Sequence, residues 1–369
     1  MKNKRGQQLL EVKNNGTFAY NIILESGFGD LEKFLREAGC EGRRICIVTD
    51  SNVEKLYLKE VEEIASKTAS EVISFVFKAG ESSKTLETVQ ELYTRLIEAG
   101  FDRQDYLLAL GGGVTGDLTG FTAATYLRGI RFIQVPTTLL SQVDSSIGGK
   151  TGVDFASYKN MVGAFHMPSL VYINEAVLST LPDDQFACGM GEVLKSGLIR
   201  DADFYEWTIN HMGEIDERDP GTLLKMVESC CRIKRDVVEA DPYDRGERAI
   251  LNFGHTLGHA IEKLKNFSLT HGECVALGMV AAAYISWKRG YLDENEFYEI
   301  RDMNVGFYLP ISFDGLDCQE ILDAAGKDKK RDGKTLKFIL LEKPGKAMIA
   351  DDVTEAEMLD ALKQMKAEF

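Results

Sequence analysis

The chain has 369 residues, with 58 acidic and 43 basic side chains and a formal charge of −15 at pH 7. This charge excludes nucleic acid and anionic membrane surfaces as main partners, because both require a basic surface. The length exceeds the usual size of one hydrophobic core, so we expect two domains in a soluble globular protein.

The cysteines and the apolar segments indicate where the protein resides. The seven cysteines are odd in number and include no C-x-x-C pair, which is typical of reduced thiols in a cytosolic protein. The N-terminus lacks the apolar segment of a signal peptide. The most apolar later run, residues 274–287, is shorter than the ~20 residues that span a bilayer. We therefore expect a cytoplasmic location.

In the first half of the chain, runs rich in β-branched residues alternate with helical patterns. The runs are RRICIVTD, SEVISFVF, DYLLALGGG and RFIQVPTT, at residues 43–50, 70–77, 105–113 and 131–138. This alternation predicts βαβ units and a Rossmann-like parallel sheet. Ligands of such sheets bind beyond the carboxyl ends of the strands, where the sequence has Asp50, Gly111 to Gly113, Thr137 and Thr138.

From about residue 181 helix formers predominate, and β-type residues return only near 335–350. We therefore predict an α/β N-terminal domain at residues 1–180 and a mostly α-helical C-terminal domain at residues 181–369, with the boundary near 175–182.

Two stretches of the first domain suit phosphate groups. GGGVTGDLTGF, at residues 111–121, ends a strand and begins a helix, which exposes backbone N–H groups to a pyrophosphate. It does not match G-x-G-x-x-G, and Asp50 precedes the glycines instead of following them, so a plain tight turn is the alternative. Residues 141–166 form a polar, glycine-rich loop region with Lys150 and Lys159, for which a solvated surface loop is the alternative.

The stretch NFGHTLGHAIE places His255, His259 and Glu262 on one face of a helix. It is not the H-E-x-x-H of metalloproteases, because Thr256 follows the first histidine. Two ordinary histidines on a half-buried helix are the alternative. His211, in an acidic run, is expected at the surface.

A second helix, GMGEVLKSGLI, carries Glu192 and Lys195 among apolar residues. A surface ion pair is one interpretation, but a buried carboxylate requires a cation or a metal. One carboxylate and two histidines with an open position are typical of catalytic zinc. Glu192, His255 and His271 can supply this set from three segments, which leaves His259 for hydrogen bonding or proton transfer.

Several strings together resemble the 3-dehydroquinate synthase family over nearly the whole chain. They are GGGVTGDLTGF, AATYLRGI, VPTTLLSQVDSSIGGKTGVD, KNMVGAFH, GMGEVLK, LNFGHTLGHAIE and HGECVALGM, in matching order and spacing. The resemblance implies an NAD- and divalent-metal-dependent lyase of two domains, one binding NAD and one binding Zn²⁺ or Co²⁺. Its reaction converts 3-deoxy-D-arabino-heptulosonate 7-phosphate to 3-dehydroquinate and phosphate in the shikimate pathway, by transient oxidation, phosphate elimination, reduction and aldol closure.

The resemblance also implies roles for individual residues. The metal ligands are Glu192, His255 and His271. The implied NAD contacts are Asp50, Asn52, Glu81, Lys84, Gly112, Gly113, Val114, Asp117, Thr137, Thr138, Asp144, Lys150, Lys159 and Thr180. The implied catalytic or substrate contacts are Asp144, Lys150, Lys159, Asn160, Lys195, Lys234, Arg248, Asn252 and His259. Arg128 is expected to reach the phosphate in a neighbouring subunit, which implies a homodimer, and Lys329 or Lys330 completes the phosphate site.

Three other functions remain as alternatives at this point. A related cyclase would act on sedoheptulose 7-phosphate, although Arg128, Lys234, Arg248 and Asn252 favour the dehydroquinate branch. A metal-dependent polyol dehydrogenase would turn over NAD with net production of NADH. A non-enzymatic NAD-sensing module would leave the metal ligands without a role.

Overall fold

The computed structural model describes residues 8–156, 158–266, 268–332 and 337–367, with the backbone alone at residues 8 and 327–332. The chain forms two compact units, one of Met1–Leu181 with Leu223–Tyr243 and one of Pro182–Thr222 with Asp244–Phe369. The first of these units contains a twisted sheet with helices on both faces. Its elements in chain order are β1 (Gln8–Asn14), β2 (Thr17–Glu25), α1 (Leu31–Glu37), β3 (Arg44–Asp50), α2 (Lys59–Ala65), β4 (Glu71–Phe77), α3 (Leu86–Glu98), β5 (Tyr106–Gly111), α4 (Gly113–Thr125), β6 (Arg131–Pro136), β7 (Lys150–Phe155), β8 (Tyr158–Phe165) and β9 (Leu170–Asn174).

The main sheet has seven strands in the order β1-β2-β9-β6-β5-β3-β4. Only β1 runs antiparallel to its neighbour; the remaining pairs are parallel. The chain passes from β3 to its neighbour β4 and then returns to β5 on the other side of β3. The strand order therefore reverses between β3 and β5, which is where open α/β sheets bind ligands. The predicted strands at 43–50, 70–77, 105–113 and 131–138 are β3 to β6, and the predicted α/β class is confirmed.

Both faces of this sheet are buried because the apolar strand residues alternate between two clusters. Ile45 and Ile47 of β3 pack with α1 and α2 on one face. Cys46 and Val48 pack with α3 and α4 on the other face. Continuous apolar runs are therefore required, as is usual in a sheet covered on both sides.

Residues 150–165 were predicted as part of a polar loop, and that prediction is wrong. They form an antiparallel hairpin of β7 and β8, in which Gly152 lies opposite Gly163. A side chain on either glycine would meet the opposite backbone. The inner face of the hairpin, with Val153, Val162 and Ala164, packs on the same cluster as α4. Strands β1, β2 and β9 were not predicted from the sequence.

The second part of the chain is mostly helical, as the sequence predicts. Its elements are α5 (Asp183–Arg200), α6 (Ala202–Asn210), α7 (Met212–Asp216), α8 (Pro220–Ala240), α9 (His255–Leu264), α10 (His271–Lys288), α11 (Glu294–Gly306), α12 (Cys318–Asp332), β10 (Phe338–Lys343), β11 (Lys346–Ala350) and α13 (Glu355–Met365). The hairpin of β10 and β11 is the β-type segment expected near 335–350. Among the described helices, none combines the length and apolar character needed to span a membrane.

Helix α8 groups differently from the sequence prediction, which assigned all of 181–369 to the second domain. Residues Leu223–Tyr243 belong to the first unit. The reason is a set of contacts with the segment that follows β6. The ammonium of Lys234 lies 2.5 Å from Asp144 Oδ1, and the thiol of Cys231 donates to the carbonyl of Gln142 at 3.5 Å.

Candidate functional site

Three helices of the second unit, α5, α9 and α10, come unusually close together because glycines line their contacts. A Cβ added to Gly191 of α5 would lie 2.8 Å from the carbonyl oxygen of Gly272 in α10. A Cβ on Gly258 of α9 would lie 2.5 Å from the carbonyl oxygen of Cys274 in α10. Such distances are shorter than any side chain tolerates, so only glycine permits this helix spacing.

The predicted metal ligands stand beside these glycines. Glu192 follows Gly191 in the middle of α5, and His271 is the first residue of α10. His255 is the first residue of α9 and follows Gly254, whose φ of 81° favours glycine. The Nε2 atoms of His255 and His271 lie 3.6 and 3.4 Å from Glu192 Oε1. One ligand atom from each side chain lies within 4.8 Å of the others.

The charges around this cluster explain its protonation. Glu192 and Lys195 are an ion pair on one face of α5, with side chains only 1% and 2% exposed. Burial would raise the pKa of Glu192, but the charges of Lys195 and His271 lower it to about 2. Burial disfavours the charged form of His271 as well, but the facing carboxylates Glu192 and Glu262 raise its pKa to about 9.

The pKa of His255 shifts in the direction opposite to that of His271. Burial, followed by the charges of Lys195, His259 and His271, holds the pKa of His255 well below its usual value. The ring of His255 is therefore neutral at pH 7. Its Nδ1 lies 3.1 Å from the carbonyl oxygen of Phe253, and the Nδ1–H tautomer donates to that oxygen and leaves the Nε2 lone pair directed at Glu192.

This donor set fits a divalent metal. Within the described part of the chain, neither carboxylate oxygen of Glu192 has a hydrogen bond of ordinary geometry, although both are buried. A buried carboxylate without such bonds is stabilised by a cation, and two imidazole nitrogens with one carboxylate match Zn²⁺ or Co²⁺. His259 lies close by, with its ring centroid 4.9 Å from that of His255. His259, Glu262 and His271 form a second group of possible ligands.

In the first unit, the residues predicted to contact NAD follow the carboxyl ends of the parallel strands. Asp50 and Asn52 follow β3, Glu81 and Lys84 follow β4, Gly112, Gly113, Val114 and Asp117 follow β5, Thr137 and Thr138 follow β6, and Thr180 follows β9. The strand-order reversal thus lies between the Asp50 loop and the glycines. Asp50 Oδ1 accepts the backbone N–H groups of Asn52 and Val53 at 2.8 and 3.2 Å, which fixes the loop after β3.

The glycines after β5 allow the start of α4 to sit tightly against its surroundings. A Cβ on Gly112 would lie 3.0 Å from Thr138 Cγ2, and a Cβ on Gly113 would lie 3.0 Å from Ser145 Oγ. The backbone N–H groups of the first turn of α4 therefore stand at a glycine-lined helix N-terminus. Such an end attracts phosphate groups through its N–H groups and its dipole.

Lys84 is the centre of a buried polar network beside α4. Its ammonium lies 2.7 Å from Asp117 Oδ2 and 2.6 Å from Asn160 Oδ1. Burial alone would lower the pKa of Lys84, but Asp117 and Glu81 raise it. The backbone carbonyl of Lys84 also accepts the N–H of Asp154 at 2.8 Å. The network thereby links the β7–β8 hairpin to α4.

The remaining predicted residues are distributed over both units. Asp144 pairs with Lys234, and Lys150 and Lys159 lie on the hairpin in the first unit. Arg248 and Asn252 lie on a short helical segment before α9, where Arg248 is 2% exposed. The side chains of Lys329 and Lys330 lie outside the described residues.

The other two histidines, His166 and His211, make packing and hydrogen-bonding contacts outside the metal cluster. The Nε2 of His166 lies 2.8 Å from the carbonyl oxygen of Ile130, and its ring stacks on Phe132. His211, expected at the surface, is half-buried because its ring stacks on Trp207 at 4.5 Å.

Two family profiles cover most of the chain. The profile described as 3-dehydroquinate synthase N-terminal matches residues 74–188, and 3-dehydroquinate synthase C-terminal matches residues 189–331. The chain belongs to the 3-dehydroquinate synthase family. A 3-dehydroquinate synthase of Acetivibrio thermocellus is 43% identical over 325 residues, which covers 88% of this chain and 90% of the relative.

Solved structures of other cyclases share the fold. A 2-deoxy-scyllo-inosose synthase complexed with carbaglucose-6-phosphate, NAD⁺ and Co²⁺ has a TM-score of 0.86 and 29% identity, covering 97% of this chain and 100% of that one. The 2-epi-5-epi-valiolone synthase of Streptomyces hygroscopicus, with NAD⁺ and Zn²⁺ bound, also has a TM-score of 0.86 and 29% identity, covering 94% and 96%. The family therefore agrees with the resemblance inferred from the sequence.

The metal cluster generates a direct prediction. Purified protein should hold one divalent metal per chain, and His271→Ala should lose most of it because two ligands bind a metal far more weakly than three. Elemental analysis after dialysis measures the content. His211→Ala serves as the control. His211 stacks on Trp207 and is not a proposed ligand, so this variant should retain the metal. Undiminished metal in His271→Ala would remove His271 from the site.

Proposed function

We propose that the chain converts 3-deoxy-D-arabino-heptulosonate 7-phosphate to 3-dehydroquinate and phosphate. The observation that carries this proposal is the cluster of Glu192, His255 and His271 in a chain of the 3-dehydroquinate synthase family. Such a cluster suits a reaction in which a hydroxyl group becomes a carbonyl and charge develops beside it. The buried cysteines, seven in all, agree with a reducing cytoplasmic location.

The cofactor is proposed to bind to the first unit. The loop after β3 and the glycine-lined start of α4 would hold the dinucleotide, with its pyrophosphate at the N–H groups of Gly113 and Val114. When bound there, NAD would supply reversible hydride chemistry with no net redox change. Asp50 and Thr180 would contact the rest of the cofactor, as the family resemblance implies.

The metal is proposed to be held by Glu192, His255 and His271. A divalent ion held there would supply Lewis-acid chemistry for a substrate hydroxyl. The ion pair with Lys195 keeps Glu192 ionised, and its low pKa preserves the carboxylate as a ligand across the physiological range. The neutral ring of His255 offers a lone pair at pH 7. Glu192 and His255 thus hold their metal-binding protonation states at pH 7, whereas His271, whose pKa the facing carboxylates raise to about 9, would release a proton as a metal binds.

Proton transfer is proposed to involve His259 of the second unit and, separately, the Asp144–Lys234 pair of the first unit. His259 lies one turn after His255 on α9 and is exposed, so its ring can reach a substrate proton while His255 binds metal. In the first unit, Asp144 holds the Lys234 ammonium at 2.5 Å. That pair would orient a cation toward the anionic substrate.

We further propose that the protein is a homodimer in which Arg128 reaches the phosphate in the neighbouring subunit. Leu127, Arg128 and Gly129 have successive φ angles of 50°, 69° and 119°. Such angles cost side-chain-bearing residues energy and often mark functional positions. The nearby hairpin exposes Met161 and Phe165, as protein interfaces do before assembly. Sedimentation velocity should give twice the mass of one chain; a monomer would contradict this proposal.

The related cyclases with other substrates suggest one competing function. Two solved synthases share the fold at 29% identity, and the sequence resemblance leaves sedoheptulose 7-phosphate as the alternative substrate of a related cyclase. The higher identity to 3-dehydroquinate synthases favours the heptulosonate. Specificity therefore depends on how the chain recognises a carboxylate.

The first test of the function is redox balance. With heptulosonate phosphate and catalytic NAD, the protein should release phosphate over many turnovers without accumulating NADH, because the hydride returns within each cycle. Phosphate release and absorbance at the NADH band are followed together. One NADH per product would favour a polyol dehydrogenase, and absence of phosphate release would refute the cyclase assignment.

The second test concerns Arg248, for which the family resemblance implies a contact with the substrate carboxylate. A guanidinium can grip a carboxylate with two charge-assisted hydrogen bonds, each worth roughly 1.5 to 3 kcal/mol. Arg248→Ala should therefore lower kcat/KM for the heptulosonate phosphate by on the order of 10² to 10⁴. Steady-state kinetics are compared with the parent after fold and metal content are verified.

Sedoheptulose 7-phosphate is the matched substrate control, because it offers no carboxylate to the guanidinium. The parent protein should reject it, and Arg248→Ala should leave its low rate nearly unchanged. Full activity of the variant on the heptulosonate, or preference of the parent for sedoheptulose 7-phosphate, would exclude carboxylate recognition by Arg248.

A further inference from the structure

His271 lies between two carboxylates, each facing a different ring nitrogen. Its Nε2 is 3.4 Å from Glu192 Oε1, and its Nδ1 is 3.9 Å from Glu262 Oε2. Glu262 is 4% exposed and belongs to the last full turn of α9. The sequence placed Glu262 on the face of His255 and His259 but gave it no role.

In a neutral imidazole, one ring nitrogen carries the proton and only the other has a lone pair that can bind a metal. Either Nε2 binds the metal and Nδ1–H faces Glu262, or Nδ1 binds a metal together with His259 and Glu262. These two arrangements make opposite assignments for Glu262.

The surroundings favour the first arrangement. Glu192 is more deeply buried than His259, which is exposed, and its oxygens lack well-formed hydrogen bonds within the described residues. His255 also directs its Nε2 at Glu192, because its Nδ1 faces the Phe253 carbonyl. Both histidines thus turn the same nitrogen toward one carboxylate.

We propose that Glu262 is the positioning residue of His271: its carboxylate accepts the Nδ1–H and thereby directs Nε2 toward Glu192 and the metal. This inference rests on the metal site of the proposed function. The two histidine ligands would then differ, since a neutral carbonyl orients His255 and a carboxylate orients His271. A carboxylate behind an imidazole makes that ring a stronger metal ligand.

The experiment measures metal binding to the full-length apo protein. Zn²⁺ affinity is determined by competition with a chelator for the parent, Glu262→Gln and Glu262→Ala. Loss of such a partner typically weakens metal affinity about 10- to 100-fold, and we expect Glu262→Gln at the low end because its amide carbonyl still accepts the Nδ1–H. Lys263→Gln, on the exposed side of the same helix, should match the parent.

Two further readouts exclude a merely structural role. The absorption bands of the Co²⁺-loaded protein should shift in Glu262→Gln while the stoichiometry stays at one ion per chain. Circular dichroism of the apo proteins should be unchanged. Parent-like affinity and spectra in both Glu262 variants would overturn the proposal, and so would two ions in the parent falling to one in Glu262→Ala, since Glu262 would then be a ligand.

The measurements distinguish failure of the proposed function from failure of the positioning role of Glu262. If the parent binds one metal and Glu262→Gln weakens it, but no phosphate is released from the heptulosonate phosphate, the positioning role stands and the substrate assignment falls. If phosphate is released and both Glu262 variants bind metal like the parent, the reverse holds.

Discussion

The close approach of α5, α9 and α10 is the constraint on which the candidate metal centre depends. Each proposed ligand has a glycine beside it in the chain: Gly191 precedes Glu192, Gly254 precedes His255, and Gly272 follows His271. Side chains at these glycines would meet the backbone of a facing helix. The ligands come from three helices, and these glycines let the helices approach more closely than side chains would permit.

This packing has an electrostatic consequence. Close helices exclude water from Glu192, and burying a carboxylate is costly unless a cation compensates it. Lys195 supplies one positive charge within the same helix, and the proposed metal supplies another. The same burial keeps His255 neutral, while the two carboxylates around His271 favour its proton. Burial therefore sets the protonation of His255, whereas neighbouring charges override burial at Glu192 and His271.

Some of this organisation could be predicted from the sequence, and some could not. Strands β3 to β6 are contiguous apolar runs, because both faces of the sheet are covered. Such runs can be recognised as strands from the sequence. The β7–β8 hairpin could not be recognised from the sequence. Its polar and glycine residues form strands only because Gly152 pairs with Gly163 and the hairpin packs beside α4. The spacing of His255 and His259 was informative, but the role inferred for Glu262 depends on a distance between two helices. The grouping of α8 likewise depends on the contact of Lys234 with Asp144.

The most direct test of whether glycine contacts assemble the metal centre compares two glycine substitutions within helices. In Gly258→Ala the new Cβ would lie 2.5 Å from the Cys274 carbonyl, whereas nothing described lies within 4 Å of a Cβ at Gly326 of α12. We expect Gly258→Ala to lose about 1–3 kcal/mol or more of unfolding free energy and to bind Zn²⁺ more weakly, because α9 must move from α10. Gly326→Ala should be as stable as the parent or gain about 0.5–1 kcal/mol, with unchanged Zn²⁺ affinity. A Gly258→Ala protein with parental stability and parental Zn²⁺ affinity would contradict the claim that glycine contacts assemble the metal centre.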